Sequence, residues 1–232
     1  GRLKGVETAN RTLHLPVMHE LDWDAHSAAE QAVLAGLAVC GCATSVKHAL
    51  EIARAGDLPA VPRYAPEITP FLDDLLRTER LRMEGSGYVM PADAAEVLTR
   101  RLARTPHWPG LSGAAVQGGS SRIGQFDALL QAIRLAFHSG DLDLMRRKVR
   151  QAEGWWGRQW LQANLWRRLL SPWDPVWVRT LGDEMFEMVV VDELDRRLTD
   201  FEDPGELVDA ALERGSAVGV RYATSARWHQ GE

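Results

Sequence analysis

The chain has 232 residues, of which 45% are hydrophobic and 25% are charged, and its formal net charge is −5 at pH 7. This composition is typical of folded globular proteins, so intrinsic disorder is excluded as the default state. The negative net charge excludes a general basic field that would hold the whole chain on a phosphate backbone. Any nucleic-acid contact therefore has to come from a local patch.

Apolar runs are short and cysteines are few. The run from Ala32 to Ala38 is far shorter than the roughly 20 residues of a transmembrane helix. We therefore predict no membrane span. Cys40 and Cys42 are too close in sequence for an ordinary disulfide, so we also predict a reducing, cytoplasmic setting. The first residue is Gly1 rather than methionine, which favours a processed product or a piece of a larger protein.

The first predicted elements are an N-terminal arm over residues 1–22 and the helix that follows it. Asp24 and Ser27 are both residue types that cap helices, and apolar residues recur at helical spacing up to about Val39. Gly41 then supplies the left-handed backbone conformation at which helices commonly end.

Two more helices are predicted after this glycine. The second is capped by Thr44 or Ser45 and closes at Gly56. The third has Pro70 near its entry, and its apolar residues keep helical spacing until Thr78. Both helices are amphipathic, so we expect each of them to bury one face.

A β-hairpin and a fourth helix complete this part of the chain. The stretch "LRMEGSGYVM", residues 81–90, alternates polar and apolar residues around two glycines, which is typical of a small hairpin. The helix after it is predicted to run from Ala92 to Arg104 and to present four apolar side chains on one face.

Three helices, a hairpin and a closing helix in this order resemble a winged helix-turn-helix domain. The resemblance covers residues 24–104, and "FLDDLLRTERLRMEGSGYVM" supplies its third helix, strand, wing and strand. It implies a domain at 23–105. In DNA-reading members of this class, the third helix carries polar and basic side chains into the major groove. Here that helix carries Glu67, Asp73 and Asp74, which would repel phosphates and disfavour sequence-specific readout.

Residues 106–124, "PHWPGLSGAAVQGGSSRIG", are rich in glycine and serine and show no periodicity. We predict a linker or long surface loop there, with the domain boundary inside it. The remainder, 125–232, is predicted as a helical domain. Its first two helices flank a turn at Ser139-Gly140-Asp141 and resemble a single tetratricopeptide-type hairpin.

A tryptophan-rich segment, 154–177, holds six of the nine tryptophans. Placed on one helix, its first part, 155–170, is apolar in most directions. A helix of that kind is buried, so we predict that Trp156 and Trp160 lie in the core. A partner-binding surface stays open as the alternative, because tryptophan and arginine are enriched at binding hot spots.

Two further helices are predicted towards the C-terminus. The first spans about 176–200, with a short strand at 189–191 left open because three β-branched residues follow one another there. The second has Pro204 near its start and Gly215 just past its end. The predicted fold class is therefore mainly α, with a winged-helix domain, a small β-hairpin and a C-terminal α-helical layer.

The candidate binding residues for nucleic acid or a partner are cations in three places. The third helix and the wing contribute Arg77, Arg80 and Arg82. The fourth helix contributes Arg100 and Arg101. The second helix of the later hairpin contributes Arg146, Arg147, Lys148 and Arg150. For the last four, the pattern favours a solvated helix face, and phosphate contact is the alternative. Phosphate contacts from such residues give affinity without sequence preference.

Signals for catalysis, cofactors and metals are lacking in the sequence. Cys40, Cys42 and His48 offer three ligands, whereas a closed zinc site needs four. The glycines of 106–124 lack the lysine and hydroxyl residue that end a P-loop, and no nucleophile-elbow or HExxH motif occurs. We therefore assign no catalytic residue, cofactor or metal ligand.

A winged helix followed by helical repeats resembles the regulatory half of signal-transducing ATPases and of some bacterial transcriptional activators. That resemblance implies a non-enzymatic regulatory and protein-interaction module, with a protein partner or a neighbouring domain of the same chain. The alternative is a nucleic-acid-binding transcriptional regulator or helicase accessory domain that uses the wing and helix arginines. An enzyme on an unfamiliar helical fold is a third hypothesis, which a deep polar pocket would favour.

Overall fold

The computed structural model describes residues 23–122, 125–157, 165–200, 202–203, 205–215 and 220. Within these ranges the chain is mainly α-helical and carries one small antiparallel β-hairpin, as the sequence predicts. The predicted N-terminal arm lies outside the described residues. Among the helices that are described, none is both long enough and apolar enough to cross a membrane.

The first helix, α1 (Ala28–Cys40), is defined at both ends by local chemistry. The Ser27 hydroxyl accepts a hydrogen bond from the Glu30 backbone N–H, and the Glu30 carboxylate accepts one from the Ser27 N–H, which is a capping box. Gly41 ends the helix with a φ of 63°. Residues 32–40 are all buried, so α1 is the central helix of the N-terminal half.

Helix α2 (Val46–Ala55) crosses α1 at very short range. Ser45, and not Thr44, caps α2 by accepting a hydrogen bond from the His48 N–H. A Cβ atom built on Gly36 of α1 would lie 2.1 Å from the Ala49 carbonyl oxygen of α2. Only glycine therefore allows the two helices to approach this closely.

Helix α3 (Thr69–Arg77) leads into strands β1 (Arg82–Glu84) and β2 (Gly87–Val89). The strands pair antiparallel with Met83 opposite Tyr88, and Gly85 in the turn has a φ of 60°. The hairpin predicted from the two glycines is therefore present.

The loop between α1 and α2 pairs with this hairpin. The Thr44 N–H donates to the Tyr88 carbonyl at 3.0 Å, and the Tyr88 N–H donates to the Thr44 carbonyl at 2.8 Å. Because β2 already pairs with β1, it lies between β1 and the extended backbone at Thr44. These two hydrogen bonds fix the hairpin to the helical core.

Helix α4 (Ala92–Leu102) closes the N-terminal half against α1. Pro91 stands just before it, so the missing proline N–H costs no helical hydrogen bond. The Thr99 hydroxyl donates to the Ala38 carbonyl near the C-terminal end of α1, at 3.3 Å. Ala95, Leu98 and Leu102 are buried on the face towards the core.

The segment predicted as a linker or loop at 106–124 contains a helix instead, α5 (Trp108–Arg122). Trp108, Leu111 and Ala115 are buried at spacings of three and four residues and anchor α5 in the N-terminal core. A Cβ on Gly110 would lie 2.0 Å from the Ala55 carbonyl oxygen of α2. This glycine therefore permits close helix packing rather than marking a flexible connection.

Helices α6 (Gln125–Ser139) and α7 (Leu142–Trp156) form the predicted helical hairpin. Gly140 adopts a φ of 68° in the turn, and Asp141 caps α7 by accepting a hydrogen bond from the Leu144 N–H. Gly157, with a φ of 80°, then ends α7, so one continuous helix over 155–170 is wrong.

The C-terminal part is a series of shorter helices. They are α8 (Arg167–Leu169), α9 (Pro175–Arg179), α10 (Asp183–Phe186), α11 (Asp192–Thr199) and α12 (Glu206–Arg214). A π-helical turn, Glu187–Val191, joins α10 to α11, so the strand alternative at 189–191 is wrong. Helix α12 ends at Gly215 in the left-handed conformation, as predicted.

The buried apolar side chains form two clusters that meet at α6. One cluster extends from α1 to α5 and includes Leu135 of α6. The other includes Ile133 and Phe137 of α6 and extends through α7 to α12. Because α6 contributes side chains to both clusters, the polar groups buried beside it determine how the two halves are joined.

Candidate functional site

A group of buried polar side chains joins α4 to α6. Glu96 of α4 is completely buried, and its Oε1 accepts a hydrogen bond from Arg134 Nε at 2.5 Å. Its other oxygen, Oε2, is 2.6 Å from His138 Nε2, one helical turn further along α6. We call Glu96, Thr99, Arg134 and His138 the α4–α6 network.

The rest of the Arg134 guanidinium is also satisfied. Nη1 donates to the Val39 carbonyl at 3.0 Å, and Nη2 donates to the Ala38 carbonyl at 2.9 Å. Nη2 also contacts the Thr99 hydroxyl and the Ala95 carbonyl. Two of these acceptors are at the negative end of the α1 dipole, where a cation is favourable. Arg134 thus connects α6 to α1 and α4 together.

Protonation in the α4–α6 network follows from burial and from these contacts. Burial alone would raise the pKa of Glu96, but Arg134, the hydrogen bond from His138 and the Arg168 charge lower it to about 2. Burial lowers the pKa of His138 despite the adjacent carboxylate. Glu96 is therefore a carboxylate that accepts a hydrogen bond from the neutral imidazole of His138. Because the carboxylate can only accept, the imidazole proton lies on Nε2.

Arg100, a candidate for the binding surface, lies inside the protein instead. It is 7% exposed, and it donates to the carbonyls of Leu169, Ser171 and Pro172 at 2.8 to 3.0 Å. Its guanidinium carbon lies 3.9 Å from the centre of the Trp177 ring. Burial lowers the pKa of Arg100 to about 10, which leaves it charged at neutral pH. Arg100 connects α4 to the segment between α8 and α9 and is not available to a phosphate.

Arg168 makes a third connection between the two halves. Its Nη2 donates to the Gly41 carbonyl at 2.8 Å, and its Nε lies 3.5 Å from Glu96 Oε1. Arg134, Arg100 and Arg168 therefore each bind backbone carbonyls of a segment distant in sequence. Together they hold the helices of the C-terminal half on α1 and α4.

The other predicted cations of the N-terminal half are exposed, and two of them are paired. Arg77 forms an ion pair with Asp74, and Arg101 pairs with Asp24 at 2.7 Å. Arg80 and Arg82 are exposed and contact no described acidic side chain, but Glu79 and Glu84 are exposed beside them. This surface mixes both signs of charge.

The cations of α7 also include one that is paired with a carboxylate and others that are not paired with any described residue. Arg146 pairs with Glu184 at 2.7 Å. Arg147 and Arg150 are exposed, and Lys148 is half-buried. Among the described residues, no side-chain hydrogen bond or ion pair joins the cations of α7 to those of the hairpin.

The tryptophans of segment 154–177 differ in their exposure. Trp166 is 2% exposed, and its Nε1 donates to Asp192 Oδ2 at 3.0 Å, while Trp177 is also buried. Trp155, on the last turn of α7, is 49% exposed. The predicted burial of Trp156 and Trp160 concerns side chains that lie outside the described part of the structure.

A cavity of about 590 Å³ lies next to the α4–α6 network. It is bounded by the C-terminal end of α4, the turn between α6 and α7, and the segment from α9 to α10. Arg100, Arg104, His138 and Trp177 line it together with apolar side chains. Its size is in the range of small-molecule sites.

Thiol and metal chemistry have no support in the geometry. Burial raises the pKa of the Cys40 thiol to about 12. Burial, with a smaller contribution from the Asp127 charge, also raises the pKa of the Cys42 thiol. Both thiols therefore stay protonated at neutral pH. Within the described residues, no three side chains of histidine, cysteine, aspartate or glutamate are grouped so that they could hold a metal ion.

Comparison with known proteins gives no relative. No family model matches the sequence, and neither a curated protein nor a solved structure matches the chain significantly. Function therefore has to be argued from the arrangement of the side chains themselves.

The α4–α6 network was not predicted from the sequence, although one signal for it exists. Arg134 interrupts the apolar run "LLQAIRLAF" on a helix whose neighbouring positions are all buried. A charged residue at such a position requires a buried partner. The partner, Glu96, is 38 residues away on α4, and no helical spacing relates the two.

Proposed function

We propose that the chain is a non-enzymatic regulatory module that binds another protein or a neighbouring domain of its own chain. The observation that carries this proposal is the fate of the candidate cations. Arg100 is buried, while Arg77, Arg101 and Arg146 are already paired with carboxylates. What remains exposed is of mixed charge, which suits protein surfaces better than a phosphate backbone.

The order of the elements supports a winged-helix-like unit as the N-terminal half of this module. Here the Thr44 backbone pairs with Tyr88 of β2 between α1 and α2. Helices α1 to α3 and strands β1 and β2 follow in the expected order. The acidic Asp73 and Asp74 of α3 are exposed, which further favours protein contact over groove binding.

The α6 and α7 hairpin supports the second half of the proposal, a helical layer of the tetratricopeptide kind. Arg134, Arg100 and Arg168 hold this layer on the N-terminal half through buried contacts. A partner that binds one half therefore acts on a body whose other half is rigidly attached. We place this module in a reducing, cytoplasmic setting, because Cys40 and Cys42 are both free thiols.

The second candidate function, nucleic-acid binding, is favoured by one specific observation. The side chains of Arg80, Arg82, Arg147 and Arg150 are exposed and make no hydrogen bond or ion pair to the described residues. Exposed cations of this kind contribute non-specific, salt-dependent affinity for a duplex or a single strand. The two functions therefore differ in whether these four side chains bind phosphates.

Charge reversal at these positions distinguishes the two functions. The test variants are Arg80→Glu with Arg82→Glu, and Arg147→Glu with Arg150→Glu. The matched control is Lys47→Glu with Arg63→Glu, which makes the same charge change at exposed positions outside the candidate set. Binding of labelled duplex and single-stranded DNA is followed by fluorescence anisotropy at low salt.

The proposal expects the same weak or absent DNA signal for the original chain, both test variants and the control. Binding by the original chain that the test variants lose and the control keeps would contradict it. That result would establish the nucleic-acid function instead. Circular dichroism spectra of all variants verify that they are folded.

A further inference from the structure

The cavity beside the α4–α6 network is lined on one side by the buried Arg100 side chain. Arg100 lines the cavity and is 7% exposed. Its two terminal nitrogens donate to three backbone carbonyls, but its Nε–H has no acceptor within the described part of the chain. All of the acceptors of Arg100 are neutral carbonyls, so an anion bound in the adjoining cavity would stabilise the buried positive charge of Arg100.

A second cation at the cavity is also available. Arg104, one helical turn after Arg100, is exposed at the cavity wall and makes no side-chain hydrogen bond or ion pair to the described residues. The two carboxylates of the wall are occupied, because Asp183 pairs with Arg214 at 2.9 Å and Glu184 pairs with Arg146 at 2.7 Å. The wall therefore offers cationic donors without competing free acids.

The remaining wall of the cavity is largely apolar. Phe137, Leu142, Leu181 and Met185 line it, together with the Trp177 ring, on which the Arg100 guanidinium stacks. His138 adds a neutral imidazole, whose Nε2 is committed to Glu96. A ligand that fills this space needs an apolar or aromatic body of modest size.

We propose that this cavity binds a small carboxylate with an aromatic or aliphatic body, whose carboxylate accepts hydrogen bonds from Arg104 and lies near the buried positive charge of Arg100. A single negative charge suits the site, because Asp183 and Glu184 line the same cavity and, although each is paired with an arginine, their charges disfavour a doubly charged phosphate more than a carboxylate. This site goes beyond the proposed function and does not depend on it, since ligand binding is measured without any macromolecule.

The first test compares matched ligands on the complete chain. Isothermal titration calorimetry measures binding of indole-3-acetate, benzoate, the neutral indole-3-acetamide and inorganic phosphate. We expect saturable binding of an aromatic carboxylate, and the neutral amide should bind at least about tenfold more weakly, because it lacks the charge that Arg104 recognises. Equal binding of acid and amide, tighter binding of phosphate, or no saturable binding of either carboxylate would each overturn the proposal.

The second test uses arginine variants of α4. Arg104→Ala should weaken carboxylate binding by at least about tenfold, and Arg104→Lys should restore part of it, because lysine keeps the charge without the planar fork. The control is Arg101→Ala, an exposed arginine of the same helix that pairs with Asp24 away from the cavity. Both positions are exposed, so folding should be unaffected. Equal binding by the Arg104→Ala and Arg101→Ala variants would overturn the proposal.

Discussion

Arg134 Nε and Glu96 Oε1 are 2.5 Å apart in an ion pair whose side chains are at most 4% exposed. The pair joins α6 to α4 at the place where the two apolar clusters meet. Desolvation of both charges is costly, and it is offset only because Arg134 makes several further hydrogen bonds and Glu96 makes one more, with His138. The attachment of the two halves therefore depends on a complete network rather than on a single contact.

Glu96→Gln should destabilise the protein strongly. The amide keeps the size of the side chain but removes its charge, which leaves the Arg134 guanidinium buried without a counter-charge. We expect a loss of about 3–5 kcal/mol in the free energy of unfolding, measured by urea denaturation. The control is Glu184→Gln, which breaks an exposed pair with Arg146 and should cost less than about 1 kcal/mol. Equal losses for the two variants would contradict a structural role for the buried pair.

Acid should destabilise the protein in two stages. His138 has a lowered pKa in the folded state, so the unfolded chain binds the extra proton and stability falls as the pH drops below 6.5. Glu96 has a pKa lowered from 4.5 to about 2, so its contribution is present above 4.5 and is lost as the pH falls towards 2.

The measurement is urea denaturation of the original chain and of the Glu96→Gln variant between pH 7 and about pH 3. Between pH 4.5 and pH 3 the loss should be smaller in the variant by up to about 2 kcal/mol, since each pKa unit corresponds to about 1.4 kcal/mol and the Glu96 titration extends on to about pH 2. Parallel curves for the two proteins would show that Glu96 does not titrate as described.

Two glycines of α5 should respond in opposite directions to alanine. A Cβ at Gly110 would overlap the Ala55 carbonyl oxygen at 2.0 Å, so Gly110→Ala should force α5 away from α2 and cost about 1–3 kcal/mol or more. A Cβ added at Gly113 of the same helix would meet no atom within 4 Å, so Gly113→Ala should stabilise by about 0.4–1 kcal/mol.

Thermal unfolding of both glycine variants tests this prediction. A lower melting temperature for Gly110→Ala and a higher one for Gly113→Ala are expected. If both substitutions stabilise the chain, then α5 does not pack closely on α2, and the interpretation of this segment as a linker regains support.

The parts of the fold that the sequence predicts correctly depend on local signals. Ser27, Ser45 and Gly215 cap helices through contacts within one or two turns, and Gly85 permits the hairpin turn through its own φ. Such features are encoded in short segments, so capping and turn preferences are sufficient to find them.

The parts that the sequence did not predict depend on contacts between distant segments. Gly110 indicates flexibility when read locally, but its role is set by the Ala55 carbonyl of another helix. Arg100 and Arg101 are adjacent arginines that look alike in the sequence. Arg100 is buried because α8 and α9 pack over it, whereas Arg101 lies at the surface and pairs with Asp24. Without the three-dimensional arrangement, a buried arginine and a surface arginine cannot be told apart.

Trp166 and Trp155 should differ sharply in their contributions to stability. Trp166 is buried in the C-terminal cluster and donates to Asp192, so Trp166→Ala should cost about 3–5 kcal/mol. Trp155 is 49% exposed, so Trp155→Ala should cost much less. Urea denaturation followed by circular dichroism measures both. Equal costs would mean that segment 154–177 is not organised around the buried Trp166 ring.

The proposed function is tested most directly by the salt dependence of DNA binding by the unmodified chain. Fluorescence anisotropy of a labelled duplex is measured while the salt concentration rises from about 50 to 200 mM. The proposal predicts no saturable binding at any salt concentration in this range. Saturable binding that weakens at least about tenfold over the range would show release of phosphate counterions and would contradict the assignment as a protein-binding module.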